Sequence, residues 1–254
     1  MDQLFKGKVA IITGAGIGIG FEITRQLAQK GASVVLNDID EKVAQQAADA
    51  ITREGGKCVP FVGDSSTMET IQGLIEKAVS TYGKLDMAIA NAGITTFGKF
   101  LDYQVESFQQ ICAVNLQGTF FLAQQAALQF IKQKSDGRIL LMSSVTGHQY
   151  HPDLAAYGMS KAAIQFMAKT LGAELGPKQI TVNAISPGAT ITERTLALDE
   201  HYLDVWNSIT PTGRAATVQD IANAALFFLS PRSGQITGQT LVVDGGWTAV
   251  SPPP

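Results

Sequence analysis

Tyr157 and Lys161 stand four residues apart in a stretch of helical pattern, Tyr157-Gly158-Met159-Ser160-Lys161, and side chains at that spacing share one face of a helix. A free phenol, with a pKa near ~10, is a poor base at neutral pH, and a neighbouring ammonium favours its ionised form. The pair could therefore give and take a proton. On spacing alone the same two residues are an ordinary exposed pair on an amphipathic helix, so context has to decide. Thirteen positions before Tyr157, Ser144 ends an apolar run of strand character, where a hydroxyl can hydrogen-bond a reacting oxygen; Ser143 beside it could do the same. Asn115 falls inside a long helical stretch, where asparagine is not preferred, and a capping or packing role would also account for it.

A second constellation lies at the start of the chain. The apolar run 9–13 passes directly into Gly14-Ala15-Gly16-Ile17-Gly18-Ile19-Gly20 and then into a helical pattern. Glycines there allow a tight turn and let a diphosphate approach main-chain N–H groups at a helix N-terminus. A glycine-rich turn alone is weak evidence of a ligand, but its place between first strand and first helix is what dinucleotide binding requires. No Gly-Lys-Ser/Thr follows, which excludes a P-loop. Eighteen residues past Gly20, Asp38 ends the second apolar run. A carboxylate there can accept hydrogen bonds from an adenosine ribose and repels a 2′-phosphate, although a solvated strand-end Asp beside Asp40 and Glu41 would look the same. Neither Ile17 nor Ile39 could neutralise a 2′-phosphate, so NAD is favoured over NADP.

These residues need a frame. Apolar runs at 9–13, 33–37, 57–62, 86–90, 138–142, 181–185 and 240–243 are nearly continuous in Val, Ile, Leu and Ala, as strands covered on both faces must be. Helical stretches at about 18–30, 41–54, 67–82, 103–133, 153–176 and 217–229 alternate with them. Such alternation predicts an α/β fold with a doubly wound parallel sheet of seven strands, in a single domain over 1–254. Gly31 and Gly83 stand where left-handed helix caps want glycine, and Gly176-Pro177 reads as a cap followed by a stop. About 188–213 shows little pattern and is expected to be a lid.

The bulk numbers narrow the functional classes. With 254 residues, 45% apolar and 16% charged, the chain has globular composition, and a net charge of −3 with no dense Lys/Arg run gives no footprint for nucleic acid. No apolar run approaches the ~20 residues of a membrane span, and the first residues lack a signal-peptide core, so a cytoplasmic protein is expected. Cys58 and Cys112 are expected to be free thiols. Three histidines with no ligand spacing give no metal site.

Taken in order along the chain, Thr13-Gly14-x-x-x-Gly18-x-Gly20, Asn91-Ala92-Gly93, Asn115, Ser144, Tyr157-x-x-x-Lys161, Pro187-Gly188 and Asp244-Gly245-Gly246 resemble the short-chain dehydrogenase/reductase family over nearly the whole length. The resemblance implies a Rossmann-type fold and a nicotinamide cofactor. It implies that Asp64 holds the adenine amino group, with Ser65 beside it, and that Asn91, Ala92 and Gly93 line the cofactor groove together with the glycine turn (Ile17, Ile19) and Ile39. Pro187, Gly188 and Thr192 would flank the nicotinamide carboxamide. The position three after Pro187 is usually aliphatic in the family and is Thr190 here, where a backbone contact is expected. The family's interval selects Ser144 over Ser143, and Asn115 would interrupt its helix and hold a water beside Lys161. Homotetramers joined through the stretches 103–133 and 153–176 are the family habit, and apolar residues such as Phe108, Phe120, Phe121 and Phe166 fit either an interface or burial against the sheet.

The implied chemistry is hydride exchange between a secondary alcohol or ketone and nicotinamide. Tyr157 would move the hydroxyl proton, Ser144 would position the oxygen, and Lys161 would hold the ribose and tune Tyr157. The loop His148-Gln149-Tyr150-His151 is expected to border the substrate, with His151 as a contact. Its polarity, with that of Thr190, Thr192, Glu193, Arg194 and Thr195, leans toward a sugar or polyol. The competing readings are an NADPH-dependent 3-oxoacyl thioester reductase and a dinucleotide-sensing scaffold without turnover. Asp38 weighs against the first, and retention of both Tyr157 and Lys161 against the second.

Overall fold

A computed structural model describes residues 3–250. The apolar runs form β1 (Val9–Ile12), β2 (Ser33–Asp38), β3 (Lys57–Val62), β4 (Met87–Ala90), β5 (Gly137–Met142), β6 (Ile180–Pro187) and β7 (Thr240–Val243). They pair in parallel in one seven-stranded sheet of order β3-β2-β1-β4-β5-β6-β7. The helices are α1 (Gly18–Gln29), α2 (Glu41–Arg53), α3 (Met68–Tyr82), α4 (Val105–Ile111), α5 (Thr119–Lys132), α6 (Ala155–Leu175), α7 (Glu193–Leu198), α8 (Tyr202–Ile209) and α9 (Val218–Leu229).

Period-2 geometry sends alternate strand residues to opposite faces. In β1, Ala10 and Ile12 join a core with Ile23 and Leu27 of α1, Ile51 of α2 and Ile221 and Phe228 of α9. Val9 and Ile11 join the other core, with Leu74 of α3, Leu122 and Phe130 of α5 and Ile164 of α6. Both faces of the central strands are thus sealed, which is why those strands read as unbroken apolar runs. Each large side chain so buried is worth about 1.5–3 kcal/mol. Caps fix the helix starts: the Asp40 carboxylate accepts from Val43 N at 3.0 Å, and Thr217 and Asp220 close a reciprocal box at the head of α9.

Three boundaries differ from the sequence expectation. The stretch 103–133 is not one helix: α4 passes into a π-helical stretch, Cys112–Gly118, before α5 begins. Gly31 and Gly83 do take left-handed conformations, but Gly176 does not; α6 runs on through a 3-10 turn, Gly176–Lys178, and the left-handed residue is Gln179 (φ 60°). Pro177 has no N–H to give and fits the first positions of that turn, so the reversal comes two residues later. Finally, 188–213 contains α7 and α8. Six and eight residues are too few to print a helical period, and the cap that starts α7, Thr192 with Thr195, is a local pair of threonines. The segment is tied back to the body by a parallel bridge between Thr190 and Ala216.

Candidate active site

Strand order reverses between β1 and β4, so their connections leave in opposite directions and open a crevice at the C-terminal strand ends. Side chains stitch the floor of that crevice. Thr13 Oγ1 accepts from the backbone N–H groups of Asn91 and Ala92, both at 3.2 Å, while Asn91 Nδ2 donates to the carbonyls of Thr13 (3.0 Å) and Gly14 (2.7 Å). This is why the glycines are needed. A Cβ on Gly14 would lie 2.8 Å from Ala92 Cα, and one on Gly20 would lie 2.5 Å from Asn91 Nδ2. Gly18 takes φ +61°, and the N-terminus of α1 has no side-chain cap, leaving its first N–H groups to face the crevice.

A groove of about 570 Å³ runs over this floor. It gathers Gly14, Ile17, Gly18, Ile19, Gly20, Asp38, Ile39, Asp64, Ser65, Asn91, Ala92 and Gly93 from four strand ends, together with Thr192. Gly16 lies behind it: its N–H donates to Asp38 Oδ2 at 3.0 Å, and a Cβ there would strike Val43 of α2. Asp38 Oδ1 also accepts from Asp40 N, so the carboxylate is pinned at the groove's edge. Asp64 is likewise held, accepting from Ser66 N at 2.9 Å. The groove suits a dinucleotide by its span across four strand ends, its uncapped N–H groups and the close glycine floor. Its one Lys/Arg side chain among the described residues is Arg194, which enters beside Thr192 rather than beside Asp38. Asn37, Gly63 and Ser66 also border it and were not anticipated; Asn37 Nδ2 braces the turn by donating to the carbonyls of Phe61 and Gly63.

A pocket of about 310 Å³ continues from the groove through Ile19, Asn91, Gly93 and Thr192. Ser144, Tyr157 and Lys161 line it, as do Pro187, Gly188 and Thr190. Ser144 Oγ accepts from Thr146 N (3.3 Å) and neighbours Thr146 Oγ1 (3.0 Å). Ser143 turns away, donating to the Lys161 carbonyl at 2.8 Å, so it is Ser144 whose oxygen faces the pocket with Tyr157. The Thr190 carbonyl accepts from Thr195 Oγ1 and from Tyr202 Oη, which ties the start of the 188–213 segment together.

The electrostatics differ from the simple picture of a lysine depressing a tyrosine pKa. Lys161 is buried, its Nζ donates to the Met142 carbonyl at 2.8 Å, and it sits 5.5 Å from the centroid of the Tyr157 ring. Burial disfavours its charge and brings its pKa down to about 8. Burial also pushes the Tyr157 phenol above its ordinary value, partly offset by the Ser144 and Thr95 hydroxyls and the positive charge of Arg194. Among the protein's own groups, desolvation therefore outweighs attraction at Tyr157.

Asn115 is fully buried at the π-helical stretch. Its Oδ1 accepts from Ile94 N (2.9 Å), and its Nδ2 donates to the Ile94 carbonyl (3.0 Å) and Ser160 Oγ (3.1 Å). The side chain thus clamps the segment after Asn91-Ala92-Gly93 against α6. A Cβ on Gly93 would lie 3.2 Å from Lys161 Nζ and 3.4 Å from Asn115 Oδ1, so Lys161 and Asn115 meet at that glycine.

One expectation is corrected. His151 does not reach the pocket of Tyr157; it lines a separate groove with Lys99, Phe100, Gln149 and Tyr150, and its Nδ1 lies 3.2 Å from the Pro152 carbonyl. His148 is turned to a structural bond, its Nε2 2.9 Å from Ser186 Oγ. The 3-10 turn Val145–Gly147 carries the loop outward before α6 starts, and nothing in the order of residues reveals that turn. In place of that loop the pocket is completed by Thr95, Phe97, Arg194, Leu198 and Tyr202. Thr95 and Phe97 had no sequence signal of their own.

A family model described as enoyl-(acyl carrier protein) reductase matches residues 14–248. The chain is 34% identical to a diacetyl reductase [(S)-acetoin forming] of Staphylococcus epidermidis over 94% of this chain and 98% of that one. It is 35% identical to a 3-oxoacyl-[acyl-carrier-protein] reductase of Chlamydia muridarum, over 97% and 99%. Among solved structures, a short-chain type dehydrogenase/reductase from Mycobacterium marinum superposes with a TM-score of 0.93 at 34% identity, covering 98% of each chain. The chain belongs to the short-chain dehydrogenase/reductase family. It is an oxidoreductase of CH–OH and ketone groups that works with a nicotinamide dinucleotide. Among the described residues no helix is long and apolar enough to cross a membrane.

Proposed function

We propose that this protein is an NAD-preferring dehydrogenase/reductase that interconverts a small secondary alcohol and its ketone, with Tyr157 as acid–base, Ser144 as the hydroxyl that orients the reacting oxygen, and Lys161 and Asn115 behind them. The observation that carries the reading is the wall shared by Ser144, Tyr157 and Lys161 in a pocket that opens into the glycine-floored groove. The nicotinamide supplies the hydride. Residues Gly14, Gly18, Gly20, Asp64, Ser65 and Asn91–Gly93 would bed the dinucleotide, and Pro187, Gly188, Thr190 and Thr192 its nicotinamide end. Asp38, pinned by two backbone N–H groups with exposed Ile17 and Ile39 beside it, supports NAD: a 2′-phosphate would meet a carboxylate and no cation at that end.

In oxidation, Tyr157 takes the proton from the substrate hydroxyl that Ser144 holds in place; in reduction it returns it. Because burial raises the phenol's pKa, the phenol is a proton donor at neutral pH, and taking a proton requires nearby positive charge. Arg194 offsets the burial only in part, and the oxidised nicotinamide would supply the remaining positive charge when bound. Asn115 keeps Lys161 in register through Ile94 and Ser160. The segment 188–213, carrying α7 and α8, acts as the lid, because Thr192 packs over Gly18 and its neighbours border both cavities. Exposed Phe108, Phe120, Leu128, Ile131 and Phe166 on α4, α5 and α6 support a homotetramer.

The sugar or polyol suggested by the loop 148–151 loses that support, since the loop lines another groove. The likeness to a 3-oxoacyl reductase favours a second reading, a thioester reductase, against which Asp38 stands. Absorbance at 340 nm, followed for a panel of small ketones, polyols and 3-oxoacyl thioesters with each reduced and oxidised cofactor, decides. Turnover of a small ketone with NADH ahead of NADPH is expected; turnover confined to thioesters with NADPH overturns the proposal.

A further inference from the structure

Arg194 lines the pocket together with Lys161, and although its side chain is exposed it reaches across to the segment after β4. Its Nη2 donates to the Thr95 carbonyl at 3.3 Å, across ninety-nine positions of chain. Thr95 lines the same pocket as Tyr157, so the guanidinium is anchored on a residue of the wall it shares with the acid–base group. A guanidinium has five N–H donors in a planar fork. Arg194 makes no other hydrogen bond to the protein and belongs to no ion pair among the described residues. Its chain neighbour Glu193 does not neutralise it: that carboxylate is turned toward Gly18, 3.9 Å from where a Cβ would stand, and lines the groove rather than the pocket. Beside the arginine the pocket mouth carries Phe97 and Leu198, both largely exposed, and the ring of Tyr202, with Thr192 and Thr195 next to them.

A guanidinium at the pocket mouth, engaged by one protein hydrogen bond and with no protein carboxylate paired to it, can receive a carboxylate on the side that faces the reacting centre. We infer that Arg194 selects the substrate: the protein acts on a short hydroxy acid or oxo acid whose carboxylate Arg194 binds in a fork while the oxygen to be oxidised or reduced lies at Ser144 and Tyr157. The inference rests on the proposed function and deepens it. Size agrees. The pocket is small, about 310 Å³, which favours a substrate of a few carbons over a long acyl chain. Arg194 also touches the cofactor groove, so the other anion it could serve is the diphosphate; that anion, however, has the uncapped N-terminus of α1.

The test compares 3-oxobutanoate and 2-oxobutanoate with their neutral isosteres 3-oxobutanamide and 2-oxobutanamide, with NADH, in the wild type, Arg194→Met and Arg194→Lys. The expected result is a kcat/KM ratio of acid to amide above tenfold in the wild type for at least one pair. That ratio should fall toward one in Arg194→Met, recover in part in Arg194→Lys, and shrink as salt is raised. NADH affinity is measured by its fluorescence in the same proteins. A ratio near one in the wild type, or one that survives Arg194→Met, overturns the inference, as does a Met variant whose loss lies in NADH affinity with the ratio intact. To keep this separate from the oxidoreductase reading, binding of 3-oxobutanoate and 2-oxobutanoate to the NADH complex is read by thermal shift in Tyr157→Phe. Arg194-dependent binding of an oxo acid without turnover in the wild type would refute the proposed activity and support the receptor; turnover of neutral ketones with no preference for acids would do the reverse.

Discussion

Replacing Lys161 with Met should abolish activity and change the pH dependence of stability by an amount that follows from burial. In the folded protein the Lys161 pKa lies at about 8, against 10.5 for the free side chain. Below pH 8 the group is charged in both states, and the folded state bears the whole cost of a buried ammonium, about 3 kcal/mol at 1.36 kcal/mol per pKa unit. Between pH 8 and 10.5 the unfolded chain binds more protons than the folded one, so stability rises with pH; above 10.5 both are neutral and the cost is gone. About 2 kcal/mol of that gain falls between pH 7 and pH 9.5. The Met variant has no such group, so the wild-type stability minus the variant stability should increase by that amount over the same interval. At about 2–4 °C per kcal/mol for a chain this size, the gap between the two melting temperatures should move by about 4–8 °C in favour of the wild type. The absolute gap is less informative, because the variant also leaves the Met142 carbonyl without its donor. Thermal melts of both proteins at matched ionic strength, from pH 7 to 9.5, give the difference with other titrating groups cancelled. A gap independent of pH, or one that moves in favour of the variant, would refute the account of Lys161 as a desolvated ammonium.

Tyr157→Phe should lower kcat by about 10²–10⁴ while leaving NADH binding within a few-fold, as fluorescence titration would show. Ser144→Ala removes one hydroxyl aimed at the developing charge and should cost about 2.7–4 kcal/mol of barrier, read as kcat/KM on the best ketone. Asp38→Ser should raise NADPH affinity relative to NADH, measured by parallel titrations; an unchanged ratio would show that Asp38 does not read the ribose. Asn115→Ala strips the Ile94 N–H and carbonyl of their buried partner and should lower stability by about 1–3 kcal/mol, seen in urea denaturation.

What was legible in the sequence is what the chain writes locally. The glycine turn, the strand that feeds it and the Tyr157–Lys161 pair each sit within a few residues of one another, and their geometry follows from one turn or one helix face. The reading of Ser144 rather than Ser143 needed the interval of a family; in the structure the Ser143 hydroxyl is engaged by the Lys161 carbonyl. The character of the pocket was not legible, because it is assembled from distant pieces: Thr95 and Phe97 from the segment after β4, Arg194 and Leu198 from α7, Tyr202 from α8. Polar residues near Ser144 in the chain, His148 to His151, were carried away by a single turn, while Arg194, read in the sequence only as one more polar residue of the segment after β6, was joined to Thr95 ninety-nine positions away. The sign of the pKa shift at Tyr157 shows the same limit. Spacing reveals that an ammonium is near; only packing reveals that Lys161 is buried and Tyr157 half-buried, so that desolvation, not attraction, dominates each. An acid–base pair built this way depends on outside charge to ionise the phenol, and that ties the chemistry of Tyr157 to whatever anion or cation the pocket admits beside it.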